Sequence, residues 1–164
     1  MELFDLVDQD DNVVGVTNKI DAHSTGKLHR VGAVFVFDDK GRLYVQVHKK
    51  SGGLYDQSIG GHISQGETYE AGTKREAEEE LGIVQPLEKL SVFYSDEGPM
   101  MQHMFGLFTC VANPEWEFVP NDEVEEIIPM EVKDIQALMK SNPKKFTGGF
   151  INTMSEYLRV KSRI

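Results

Sequence analysis

Hydrophobic positions in this chain fall mostly into short runs of strand length, cut by polar turns, around one long polar stretch with helical spacing. Residues 3–7 (LFDLV) and 13–20 (VVGVTNKI) read as strands around a DQDDN turn. Residues 22–30 (AHSTGKLHR) are polar with a central glycine and read as a loop. Residues 31–37 (VGAVFVF) form a continuous apolar run, the mark of a strand buried on both faces. The DDKG turn at 38–41 reverses it into 42–48, which alternates as LYVQV, and 56–63 reads as a further strand. Downstream, 83–84, 90–94, 103–112 and 124–129 have strand character, 95–99 and 113–122 are loop and turn, and 132–140 and 146–161 are helical. No repeat or linker divides the chain, so 1–164 is expected to be a single domain. Strands first, one central helix, then strands and two terminal helices predict an α+β or α/β fold with a mixed sheet.

The central stretch, 61–83, reads GHISQGETYEAGTKREAEEELGI. A turn carrying Gly60, Gly61 and Gly66 leads into a helix that Thr68 would cap and Gly82 would end in a left-handed residue. Glu76, Glu79 and Glu80 are spaced i, i+3, i+4 and share a face, while Glu78 points away. Local physics opposes this arrangement. Glu76 and Glu80 repel as a like-charged i, i+4 pair, and the C-terminal half of a helix favours cations. A divalent cation such as Mg²⁺ or Mn²⁺ removes both objections, because it takes hard oxygen ligands. Gly72, one turn before Glu76 on that face, would leave room for a close approach. The plainer alternative is a solvated acidic face with Arg75–Glu79 and Lys74–Glu78 ion pairs.

Spacing decides between them. The stretch follows the pattern Gly-x5-Glu-x7-Arg-Glu-U-x-Glu-Glu-x-Gly-U, in which U is a large aliphatic residue. Gly61, Glu67, Arg75, Glu76, Glu79, Glu80, Gly82 and Ile83 all fall in place, and Ala77 is the one soft departure. In this the chain resembles the Nudix hydrolases. The resemblance implies an α/β/α sandwich with a mixed β-sheet, and cleavage of a diphosphate bond in a small-molecule substrate. It implies Mg²⁺ or Mn²⁺ held by Glu76, Glu79, Glu80 and the Gly61 carbonyl. Arg75 would orient Glu79, and Glu67 and Gly82 would shape the loops. Glu79 is the first choice of general base, with Glu123 and Glu125 in the NDEVEE segment as a distant alternative.

A second similarity extends outside this box. His23, the Leu28-His29-Arg30 run and Gly61-His62 resemble the part of the superfamily that includes type I isopentenyl-diphosphate isomerase, whose matching histidines bind a metal. His23, His29 and His62 are therefore either a second metal site or structural remnants. Two departures disfavour the isomerase reaction itself: Gly60 stands where the catalytic cysteine would be, and the MQHMF segment at 101–105 lacks the expected carboxylates. A non-catalytic ligand-binding domain is a third reading, opposed by the complete set of box carboxylates.

Composition changes the picture in three ways. A net charge of −10 argues against a basic nucleic-acid footprint and fits a polyphosphate substrate only if metal inverts the local charge. Cys110 is the only cysteine, so no internal disulfide forms, and a cytoplasmic location with a packed thiol is the natural expectation. No run is long and apolar enough to cross a membrane. Many members of the resembled family form homodimers. His48 with Lys49 and Lys50 would contact phosphate or form a solvated edge, Trp116 would pack, and His103 would be a strand residue without a role.

Overall fold

The computed structural model describes residues 1–163. Its centre is β3 (His29–Phe37), which pairs antiparallel with β1 (Leu3–Val7) and β6 (Ile59–His62) and parallel with β8 (Gln102–Val111). Strand β2 (Val13–Asn18) flanks β1, and β7 (Glu88–Asp96) flanks β8. Strand β4 (Leu43–His48) meets β3 at Phe37↔Leu43 and pairs antiparallel with β5 (Leu54–Asp56) and β9 (Val124–Met130). The helices are α1 (Lys19–Thr25), α2 (Tyr69–Leu81), α3 (Val132–Ser141) and α4 (Gly148–Lys161).

The unbroken apolar run of β3 now has its reason. Val34 and Val36 pack in one core with Tyr69, Ala77 and Leu81 of α2. Val31, Ala33 and Phe35 pack in another with Ile135 of α3 and Phe150 and Met154 of α4. The result is the α/β/α sandwich with a mixed sheet that the resemblance implied. Helix α2 lies directly on the sheet where Gly32 and Gly106 pair. A Cβ on Gly32 would run into the Thr73 hydroxyl, and one on Gly106 into the Tyr69 ring.

Several boundaries differ from the sequence reading. The expected loop at 22–30 is instead α1 followed by the start of β3 at His29. Asn18 caps α1 by accepting from the Asp21 N–H, and Gly26 closes it in the left-handed conformation. Only Ala22 of this helix is buried, so no apolar stripe announced it. The single strand expected at 56–63 is two. β5 belongs to β4 and β6 to β3, and the Ser58 hydroxyl bridges the change by donating to Tyr44 O (2.6 Å) and accepting from Val36 N–H (2.9 Å). Residues 83–84 are not strand, because Ile83 closes α2 by donating its N–H to Ala77 O. Residues 95–96, expected as loop, continue β7. Among the described residues no helix is long and apolar enough to cross a membrane.

Candidate functional site

Helix α2 carries the acidic ridge. Thr68 caps it by accepting from Ala71 N–H, and Gly82 ends it at φ 63°. Its last carbonyls are satisfied from the 113–122 segment: Trp116 Nε1 donates to Leu81 O (2.8 Å) and Asn121 Nδ2 to Glu80 O (2.9 Å). Trp116 also packs against Tyr44, the packing role expected of it. The helix end that bears the carboxylates is thus pinned without any basic residue in its last turn.

The three glutamates of the ridge are unequal. Glu79 is 61% exposed at its side chain, whereas Glu76 is 16% exposed. Glu76 lies across Gly61, whose missing side chain makes the space, since a Cβ there would overlap the Glu76 carboxylate. Glu80 Oε2 is buried without a well-formed hydrogen bond, and so is Nε2 of the Gln46 amide that lies beside the carboxyl and weakly favours its charged form. Burial, helped by the charges of Glu76 and Glu123, pushes the Glu80 carboxyl up to about 9. Burial also raises Glu76, although Arg75 opposes it. A buried carboxyl oxygen without a well-formed bond fits a cation that is bound in the working protein.

Arg75 reaches Glu79 as expected, at 3.5 Å, but its shorter bonds go to other partners. It closes on Glu67 with two bonds (Nη2–Oε1 2.9 Å, Nε–Oε2 3.2 Å), on Glu76 (Nη1–Oε1 2.8 Å) and on His62 O (3.2 Å). Glu67 also accepts from Ser64 N–H (2.7 Å), so it fastens the loop ahead of α2 to the helix. Gly72 does not open the ridge to an approaching group either, because a Cβ there would press on Ile63 and it serves packing. Glu123 stands close enough to act on Glu76 and Glu80; both it and Glu125, which lies in β9, are exposed.

A pH prediction follows from Glu80. Its folded pKa lies above the ordinary glutamate value of 4.5, so the folded state keeps a proton that the unfolded chain has released. Stability from this group is full below that value and is lost as pH rises towards 9. In EDTA, the unfolding free energy should therefore fall between pH 7 and pH 9, by up to about 1.4 kcal/mol per pH unit, and the melting temperature with it. Saturating Mg²⁺ or Glu80→Gln should flatten the slope. A slope unchanged in Glu80→Gln would remove Glu80 as its source.

Beyond Gly61 lies a cleft of about 480 Å³ lined by His48, Asp56, Gly60, His62, Glu97 and His103, among others. At one wall, His23 of α1, His29 of β3, His62 of β6 and His103 of β8 each present a ring nitrogen, all within 4.8 Å of one another. Phe4 stacks over His29 and His62. His29 Nδ1 lies 2.8 Å from Lys27 O, and its Nε2 is buried without a partner. Burial lowers His62 to about 2 and His29 to about 4, and also lowers His23, so all three are neutral at pH 7. His103, read from sequence as having no role, joins them because β3 and β8 pair in parallel with His29 opposite His103.

Glu97 was missed as well. It is buried beside His103, with Oε2 2.9 Å from Nδ1, and brings a carboxylate into the cleft that segment 101–105 lacks. Asp56, a third missed residue, is raised by burial and accepts from Thr147 Oγ1 and Gln57 N–H, both at 2.9 Å. Cys110 is a packed thiol pushed up to about 11 by burial, as expected. Lys49 and Lys50 are exposed, while His48 turns into the cleft.

Comparison with known proteins gives a consistent result. The NUDIX domain family matches residues 27–148. An isopentenyl-diphosphate Delta-isomerase of Serratia proteamaculans is 34% identical over 94% of this chain and 90% of its own length. An uncharacterized Nudix hydrolase of Yersinia pestis is 31% identical over 84% of this chain and 77% of its own. Among solved structures, DR0079 from Deinococcus radiodurans superposes with a TM-score of 0.70 at 24% identity, covering 86% of this chain and 90% of that one, and so shares the fold.

Proposed function

The chain belongs to the Nudix domain family, and from that premise we propose that it hydrolyses a diphosphate linkage between a nucleoside and another moiety, with Mg²⁺ or Mn²⁺ as cofactor. The observation that carries the reading is the buried oxygen of Glu80, without a well-formed hydrogen bond, beside Glu76 on the α2 ridge. Glu76, Glu79, Glu80 and the Gly61 carbonyl would hold the ion. When bound, it supplies charge neutralisation on the diphosphate and makes a water more acidic.

The remaining work falls to the chain's own groups. A water attacks phosphorus while the bond to the departing phosphate oxygen breaks, and the water's proton must go to a base. Glu79, exposed and only loosely held by Arg75, is free to accept it. Glu123, whose charge acts on Glu76 and Glu80, is the alternative acceptor, with Glu125 the other candidate of the same segment. Arg75 fixes Glu76 and the Glu67 loop so that the ridge keeps its shape. The cleft beyond Gly61 would take the part of the substrate outside the diphosphate.

The isomerase-named relative, matched along most of both chains, favours a second reading. Glu97 offers that chemistry a carboxylate. What opposes it is Gly60, since an acid and a base are needed on opposite faces of the allylic system and glycine supplies neither. The chain's one thiol, Cys110, lies in the core and not in the cleft. A panel of nucleoside-diphosphate-linked compounds with Mg²⁺ and Mn²⁺ tests the proposal. Release of a phosphate monoester product, with no deuterium uptake into isopentenyl diphosphate in heavy water, is the expected result. Deuterium uptake with no diphosphate cleaved would reverse the ranking.

A further inference from the structure

We infer that the cleft beyond Gly61 binds an organic ammonium group between Asp56 and Glu97, and that these two residues select as substrate a nucleoside diphosphate ester of an amino alcohol. The choice of substrate rests on the hydrolase reading, whereas the cation site does not. Both carboxylates line the same cleft, and the charge of Glu97 acts on Asp56. Each is anchored through one oxygen only. Asp56 Oδ1 accepts from Thr147 Oγ1–H and Gln57 N–H, and Glu97 Oε2 accepts from Ser95 Oγ–H and His103 Nδ1–H, all at 2.9 Å. Among the described residues no hydrogen bond reaches Asp56 Oδ2 or Glu97 Oε1. Yet Glu97 is only 9% exposed at its side chain, so this carboxylate has little water of its own. Its free oxygen lies beside Gly149, another lining residue, where a Cβ would stand 3.0 Å from it.

What the pair lacks is a cation. The lining holds no lysine or arginine, and Lys49 and Lys50 are exposed outside it. Burial, helped by the charge of Glu97, raises the Asp56 carboxyl, as befits a group short of positive partners. The N-terminus of α4 at Gly148 and Gly149 offers a partial charge of roughly +0.5, too little for two carboxylates. A neutral hydroxyl would fill the open oxygens and leave the charge uncompensated. An ammonium group does both, through charge-assisted hydrogen bonds. The space suits an organic group, because a cleft of about 480 Å³ walled in part by Leu54, Met101 and Phe146 far exceeds a bare ion. A molecule with its diphosphate on the acidic ridge and its amine beyond Gly61 would meet positive charge with negative at both ends, given the bound metal. Leu54, Met101 and Phe146 would cover the carbon chain between them.

The test has a binding arm and a kinetic arm, both on the full chain. In the first, isotope-labelled, metal-free protein is titrated with ethanolamine and, separately, with ethylene glycol, its uncharged counterpart. Saturable shifts of the Gly148 and Gly149 amide resonances with ethanolamine alone are expected. In the second, kcat/KM with Mg²⁺ is compared for the ethanolamine and ethylene glycol esters of one nucleoside diphosphate. The amine ester should be preferred about 10–100-fold. Asp56→Asn and Glu97→Gln, which keep the side-chain shape, should each cut the ethanolamine affinity and that preference about tenfold. A residue that only held the fold would lower the melting temperature and leave the preference alone. Absent shifts, equal shifts with both probes, or a preference kept in both variants would overturn the cation site. Equal cleavage of the two esters would overturn the substrate choice. If neither ester is cleaved while ethanolamine still shifts Gly148 and Gly149, the hydrolase reading fails and the cation site stands. Should both variants fail to fold, the comparison of amine and glycol on the parent chain still decides.

Discussion

Replacing Glu80 by glutamine should lower kcat by about 10²–10⁴-fold, roughly 3–5 kcal/mol of transition-state stabilisation, while leaving the fold intact. Glutamine has the shape of glutamate but cannot hold a divalent cation with the same charge. The carboxyl it replaces has an oxygen that the protein buries without a well-formed hydrogen bond. The metal-free variant should melt no lower than the parent at pH 8, because it no longer keeps a carboxyl protonated against a folded pKa of about 9. Lost turnover with retained stability separates a ligand from a packing residue. Glu78→Gln, on the exposed opposite side of the same helix, is the control and should keep near-parental turnover. Near-parental turnover in Glu80→Gln would remove the ridge from the chemistry.

The second large effect belongs to Arg75. Arg75→Lys keeps the charge and removes the fork, so it isolates geometry from electrostatics. The guanidinium reaches Glu67, Glu76 and the His62 carbonyl at once, which a single ammonium cannot do. Freed from Arg75, Glu76 would leave its place over Gly61, and the Ser64–Glu67 loop would loosen. Losses of about 10–100-fold in Mg²⁺ affinity and in kcat/KM are expected, read by metal titration and by steady-state kinetics at saturating metal. A change confined to thermal stability would make Arg75 a scaffold residue only.

These residues also mark how far the sequence could be read. The α2 stretch was legible because its signals are local: a cap at Thr68, a left-handed stop at Gly82, and carboxylates whose spacing fixes their face. The buried β3 run was legible for the same reason, since seven consecutive apolar positions have few other uses. What escaped depended on partners far along the chain. The i, i+4 rule pointed Arg75 at Glu79, but the loop before α2 brings Glu67 closer. His103 looked idle because its value comes from lying opposite His29, 74 positions earlier, through a parallel pairing that no local pattern encodes. Glu97 reaches the cleft from the turn between β7 and β8, off the strand on which the resemblance places the carboxylates. Helix α1 was missed because it buries one residue and therefore leaves no periodic trace.

The central claim is that the α2 carboxylates grip a divalent ion. The most direct measurement is a crystal structure of the parent chain with Mn²⁺ and a non-hydrolysable nucleoside diphosphate conjugate, collected at a wavelength where manganese scatters anomalously. The account predicts a manganese peak within bonding distance of Glu76 and Glu80, with the diphosphate oxygens on its other side. Manganese absent from that ridge, with the diphosphate bound elsewhere and Glu80 still buried and protonated, would contradict it.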